Sequence, residues 1–121
     1  MPIAFLDKGQ HQMVAGSIDA SAGTDAVLTS ADGAATMTRN DAGDYTVTFG
    51  AAFLSAPIIT ATPVDATFST DETHMVTGVA VNATDVQFNV ITTTTNATAT
   101  DIASALADID FHFMCVGARN R

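Results

Sequence analysis

The feature of this chain that most restricts its fold is an apolar alternation with a period of two. In Asp44-Tyr45-Thr46-Val47-Thr48-Phe49 the large side chains Tyr45, Val47 and Phe49 fall on one face and the threonines on the other, because successive side chains of an extended strand point to opposite sides. Val86, Phe88 and Val90 repeat the pattern between Asp85, Gln87 and Asn89. Ile109, Phe111, Phe113 and Cys115 repeat it against Asp108, Asp110 and His112. A helix would spread these apolar positions around its circumference. The pattern predicts three half-buried antiparallel strands that offer one face each to a common core.

Further strands are expected at 13–18, 26–30, 34–39, 56–63 and 74–81, with a short one at 3–6. Pro57 and Pro63 place strand 56–63 at a sheet edge, or sit at its ends, because proline has no ladder donor. Asp32-Gly33 suits a tight hairpin, and Asn82-Ala83-Thr84-Asp85 another turn. Asn40-Asp41-Ala42-Gly43 suits a type I turn closed by a left-handed glycine, with Asp41 and Asp44 capping it. Turn signals recur about every ten residues, with no long helical pattern between them. The expectation is an all-β fold: an antiparallel β-sandwich, jelly-roll-like, of about eight short strands joined by hairpins. Stretch 100–107 reads as a loop with at most one helical turn, and the Thr/Ala-rich run 92–100 as an exposed crossing or extended edge. Residues 1–20 read as an N-terminal arm with the first strands, and residues 21–121 as the sandwich domain.

Composition sharpens this. Of 121 residues 47% are hydrophobic, but 22 are alanine, so one small chain has little with which to build a core, and burial against another subunit is expected. Thirteen Asp and Glu face four Lys and Arg, a net charge of −9. That balance repels phosphate backbones and anionic lipid, so neither nucleic acid nor membrane is an expected partner. Cys115 is the only cysteine, which leaves packing to hold the fold; within Phe111-His112-Phe113-Met114-Cys115-Val116 it reads as a small buried hydrophobe. The start has no basic, then long apolar, signal pattern, and no run approaches a membrane span. The product is expected to be made in the cytoplasm, where the sequons Asn82-Ala83-Thr84 and Asn96-Ala97-Thr98 carry no glycan.

No residue set predicts catalysis, a cofactor or a metal. His11, His74 and His112 lack close histidine partners, and His112 alternates out from between Phe111 and Phe113. Asp101, Asp108 and Asp110 lack calcium-loop spacing. Gly16-Ser17 lacks a nucleophile-elbow pattern, and no Gly-rich loop opens a helix. An exposed ring for sugar stacking is restricted to Tyr45, Phe53 or Phe68.

Four segments in order carry a resemblance: Gly43-Asp44-Tyr45-Thr46-Val47-Thr48-Phe49; Phe53-Leu54-Ser55-Ala56-Pro57-Ile58-Ile59; Thr84-Asp85-Val86-Gln87-Phe88-Asn89-Val90; and Ala107-Asp108-Ile109-Asp110-Phe111-His112-Phe113-Met114-Cys115-Val116-Gly117. Over about residues 33 to 118 the chain resembles a small β-sandwich module of tailed-bacteriophage virion proteins, found in head-decoration proteins and fibre ends. The resemblance implies a symmetric homo-oligomer, often a trimer, seated on the major capsid protein, and no catalytic residues. With no coiled-coil or collagen-like stalk ahead of the module, the expected role is a capsid decoration (cement) protein on the virion surface. Its expected contacts are Phe5, Leu6 and Lys8 in the arm and Arg119 and Arg121 in the tail. The alternative is a tail or fibre receptor- or carbohydrate-binding module that uses loops 67–73 and 92–100.

Overall fold

The computed structural model describes residues 11–20, 23–64, 72–94 and 103–120. Nine strands run in the order β1 (His11–Asp19), β2 (Val27–Asp32), β3 (Ala35–Asp41), β4 (Asp44–Phe49), β5 (Ile58–Pro63), β6 (Glu72–Val81), β7 (Asp85–Thr94), β8 (Ala103–Leu106) and β9 (Phe111–Ala118). A single 3₁₀ turn, Gly23–Asp25, precedes β2. No α-helix occurs among the described residues.

The strands form an all-β sandwich of two antiparallel sheets. Sheet 1 has the order β2-β1-β9-β5; sheet 2 has β3-β4-β7-β6, with β8 also on β7. β4 pairs the first half of β7 and β8 the second half, so the two lie end to end along one side of that strand. Among the described strands the first and last pair in sheet 1, and the chain steps repeatedly between sheets, giving the antiparallel β-sandwich the sequence predicts.

The three alternating segments form the centre. Tyr45, Val47, Phe49, Val86, Phe88, Val90, Phe111, Phe113 and Cys115 are all buried, joined by Val14 and Ile18 of β1. Phe111 crosses from sheet 1 to meet two rings of sheet 2, its centroid 5.5 Å from Tyr45 and 5.2 Å from Phe88. Tilted and edge-on contacts of this kind add to the area term. Ile109, predicted to open the last strand, is only partly buried and precedes β9, which starts at Phe111. Pro63 ends β5 and Pro57 precedes it, and β5 is an edge strand, as proline requires.

Two expectations need correction. Residues 103–106 form strand β8, pairing Ile91↔Leu106 to Thr94↔Ala103, where a loop with a helical turn was expected; the free ladder of β7 outweighs alanine's helix preference. Asp32-Gly33, read as a hairpin, carries the chain from β2 in sheet 1 to β3 in sheet 2, so its flanking strands do not pair. Paired hairpins therefore account for only some of the connections. The Ala42-Gly43 turn does follow the expected chemistry: Gly43 has φ 67°, and a Cβ there would come within 2.6 Å of the Ala107 nitrogen and 2.7 Å of the Val90 oxygen. The predicted strand at 3–6 lies outside the described residues.

Phe111→Ala opens a void where the two sheets meet. It is expected to cost about 3–5 kcal/mol, read as a lower urea midpoint at unchanged m-value.

Candidate functional site

The densest polar cluster forms around Asp108, in the crossing from β8 to β9. Arg39 of β3 donates to both its oxygens, from Nε at 3.1 Å and from Nη2 at 2.8 Å. The Gly43 amide donates to Oδ1 at 3.0 Å, and the Tyr45 hydroxyl donates to the same oxygen. The guanidinium and hydroxyl donors hold the Asp108 carboxyl well below the usual carboxylate range. Burial, followed by the bond to the Asp108 anion, pushes the Tyr45 phenol well above its ordinary value. A phenol held neutral and a carboxylate held ionised, with the ring buried, form a structural tie and have no proton to exchange near neutral pH. Two residues on, the Asp110 carboxylate accepts from the Ala20 amide at 2.7 Å, while its carbonyl accepts from the Val64 amide at 2.7 Å. The crossing thus ties sheet 2 to the ends of β1 and β5.

Other candidates from the sequence are dispersed. Arg39, one of four basic residues in the chain, is committed to Asp108. Asp41 accepts from the Ala42 amide at 2.8 Å, as a turn cap does, whereas Asp44 accepts from the side chains of Asn40 and Gln87. Asn82 Oδ1 accepts from the amides of Thr84 and Asp85 and sets the β6–β7 turn. His11 lies at the start of β1, His74 on β6 and His112 on β9. Among the described residues no three His, Cys, Asp or Glu side chains gather as a metal site. Cys115 is buried, and burial pushes its thiol up to about 11. Tyr45 and Phe53, two of the rings considered for sugar stacking, are both buried. Arg119 is exposed just after β9, where it bridges Phe53 and lines, with His11, a cleft of about 400 Å³. Phe5, Leu6, Lys8 and Arg121, with Phe68, Asp101 and most of loops 67–73 and 92–100, lie outside the described residues.

The arrangement with the clearest chemical character is the outer face of sheet 1. Strand alternation and register bring Met13, Val116 and Ile58 into one row, Ala15, Met114 and Thr60 into the next, and Ser17, His112 and Thr62 into a third. None of these nine residues is Asp, Glu, Lys or Arg. Ile58 is 78% exposed, Met114 42% and Met13 41%. Leu54, 64% exposed, extends the apolar surface where its amide bonds the Ala118 carbonyl. A shallow depression of about 330 Å³ lies beside Met114, over Ala15, Gly16 and Ser17. The outer face of sheet 2 differs: Asp44, Asp85, Thr46, Thr48, Gln87 and Asn89 dominate it, and one apolar row, Met75-Ile91-Leu106, crosses its β8 end. Sequence reading missed the sheet 1 surface because a strand's outward residues become a patch only when register aligns them with neighbours far along the chain.

Comparison with family models, curated proteins and solved structures finds no match. No helix among the described residues is long and apolar enough to cross a membrane.

Asp108→Ala leaves the buried Tyr45 hydroxyl and the Gly43 amide without their acceptor, and is expected to cost about 2–3 kcal/mol at pH 7. Because Asp108 binds its proton less readily folded than unfolded, its contribution is complete above about pH 5 and fades as pH falls below about 4. Urea midpoints of wild type and Asp108→Ala should therefore converge in acid. Cys115 should resist thiol reagents in the native protein and react only as fast as the sandwich opens.

Proposed function

We propose that this chain is a virion surface module whose work is association: a capsid decoration protein of a tailed phage, seated on the major capsid protein through the outer face of sheet 1. One observation carries the reading. A chain of net charge −9 keeps nine aligned positions of one sheet face free of Asp, Glu, Lys and Arg, and leaves Met13, Ile58 and Met114 in water. Large apolar side chains left exposed side by side, with no charge between them, are the character of an interaction site. The phage assignment rests on the motif resemblance over about residues 33 to 118, and the Asp108 cluster, the sort of group a catalytic reading would use, is spent on structure.

The docking mode follows from the same chemistry. Apolar contact supplies the adhesion, and the carboxylates around the face discourage indiscriminate stacking of copies. The tail-module alternative loses support for aromatic-platform sugar binding, because every described Phe and Tyr is buried. Copy number in the virion separates it from the decoration reading.

Densitometry of purified virions is expected to give this chain in hundreds of copies, comparable with the major capsid protein; tens of copies would instead assign a tail part. Ile58→Glu and Met114→Glu place a carboxylate in the contact and should each weaken attachment about tenfold or more. Their thermal midpoints should stay near wild type, as surface substitutions generally cost less than about 0.5 kcal/mol.

A further inference from the structure

A second opening lies between the sheets, along β5 and β6. Sheet 1 ends at β5 and sheet 2 at β6; the two strands approach one another, but neither edge is hydrogen-bonded to another described strand. The cleft between them holds about 600 Å³ and is lined by Pro57, Ile59, Ala61, Val76, Val81 and Phe88, with no charged side chain. Gly78 forms part of its wall: a Cβ there would meet nothing nearer than Val86 Cγ2 at 4.0 Å. From Thr73 to Val81, β6 has no Asp, Glu, Lys or Arg, and most of it is exposed. An uncharged edge beside an apolar cleft is suited to an added extended strand, held by main-chain bonds along the edge and by side chains in the cleft.

The chain has such a segment. Residues 1–10 lie outside the described structure, and Pro2-Ile3-Ala4-Phe5-Leu6 is apolar, followed by the polar Asp7-Lys8-Gly9-Gln10. His11 pairs with Ala118 and Ile58 with Val116, so β1 starts at the end of the sandwich where β5 starts. Within one molecule β9 stands between β1 and β5. The segment would have to turn back across two strand spacings of about 4.8 Å and then round the sheet edge. Residues 7–10 span at most about 14 Å. A course that ran straight on from β1 would carry residues 2–6 away from their own cleft and towards a neighbour.

We propose that the β5/β6 cleft binds residues 2–6 of a second copy of this chain as an added strand, with Phe5 and Leu6 as its anchors, and that successive copies exchange these segments head to tail into a closed ring. The assembly does not depend on which surface the module decorates.

Light scattering on the purified full chain tests this, alongside two full-length variants. Phe5→Asp/Leu6→Asp removes the anchors, and Gly78→Val fills the cleft without a backbone clash. Wild type is expected to be oligomeric and both variants monomeric. A labelled peptide of residues 1–10 should bind the Phe5→Asp/Leu6→Asp chain at least about tenfold more tightly than a Gly78→Val chain carrying the same two substitutions. An oligomer that survives Phe5→Asp/Leu6→Asp overturns the proposal. So does a monomeric wild type whose thermal midpoint falls with that substitution, which would place the segment in its own chain's cleft. The peptide measurement needs no folded Gly78→Val chain to fail: absence of binding to the Phe5→Asp/Leu6→Asp chain overturns the proposal alone.

Discussion

The sandwich depends on how the chain crosses from sheet 2 to sheet 1 at residues 107–110. Asp108 holds Arg39, Gly43 and Tyr45 of the β3–β4 hairpin, and Asp110 holds the ends of β1 and β5. Phe111 follows immediately and packs on Tyr45 and Phe88. Tyr45 takes part in both layers of this arrangement, its ring in the aromatic cluster and its hydroxyl on Asp108. Polar satisfaction and apolar packing are therefore one unit: a Tyr buried to this degree needs an acceptor, and the acceptor it uses also sets the register at which Phe111 enters the core. With so many alanines in the hydrophobic fraction, a few large rings carry much of the burial, and the tie that aligns them matters correspondingly more.

Alternation made the three central strands legible in the sequence. β4 spans the residues predicted for it, and of the ten apolar positions in the three segments only Ile109 escapes full burial. The glycine turn at 43 and the Asn82 turn were legible for the same reason, since both are local chemistry. What local chemistry does not contain is the partner. β8 has no apolar alternation of its own and exists because β7 offers it a ladder. The step from sheet to sheet at Gly33 looks in sequence like any hairpin turn. Arg39 could be assigned to Asp108 only once residues 69 positions apart were brought together.

The candidate surface was hidden for a related reason. Met13, Met114 and Ile58 come from the beginning, end and middle of the chain, and each alone is an ordinary exposed apolar residue. Antiparallel register turns them into neighbouring positions of one face, and only then does the lack of charge between them become visible. The contacts first expected in the arm and tail were chosen because terminal segments hold apolar and basic residues in sequence proximity. The folded chain offers a broader surface in the middle of sheet 1.

Charge explains why such a surface is tolerable. Charge-free rows on a sheet face, as along β1, β9 and β5 here, and an uncharged stretch of strand edge, as from Thr73 to Val81, are the two features that most invite uncontrolled association. The chain carries thirteen acidic residues against four basic ones, so copies meeting in an arbitrary orientation bring like charges together. Approach is least opposed along the sheet 1 face and the β5/β6 cleft, where that repulsion is locally absent. The same composition that keeps nucleic acid and anionic lipid away thus selects orientation, and it leaves apolar fit, with Arg119 and His11 beside one cleft, to decide which partner stays.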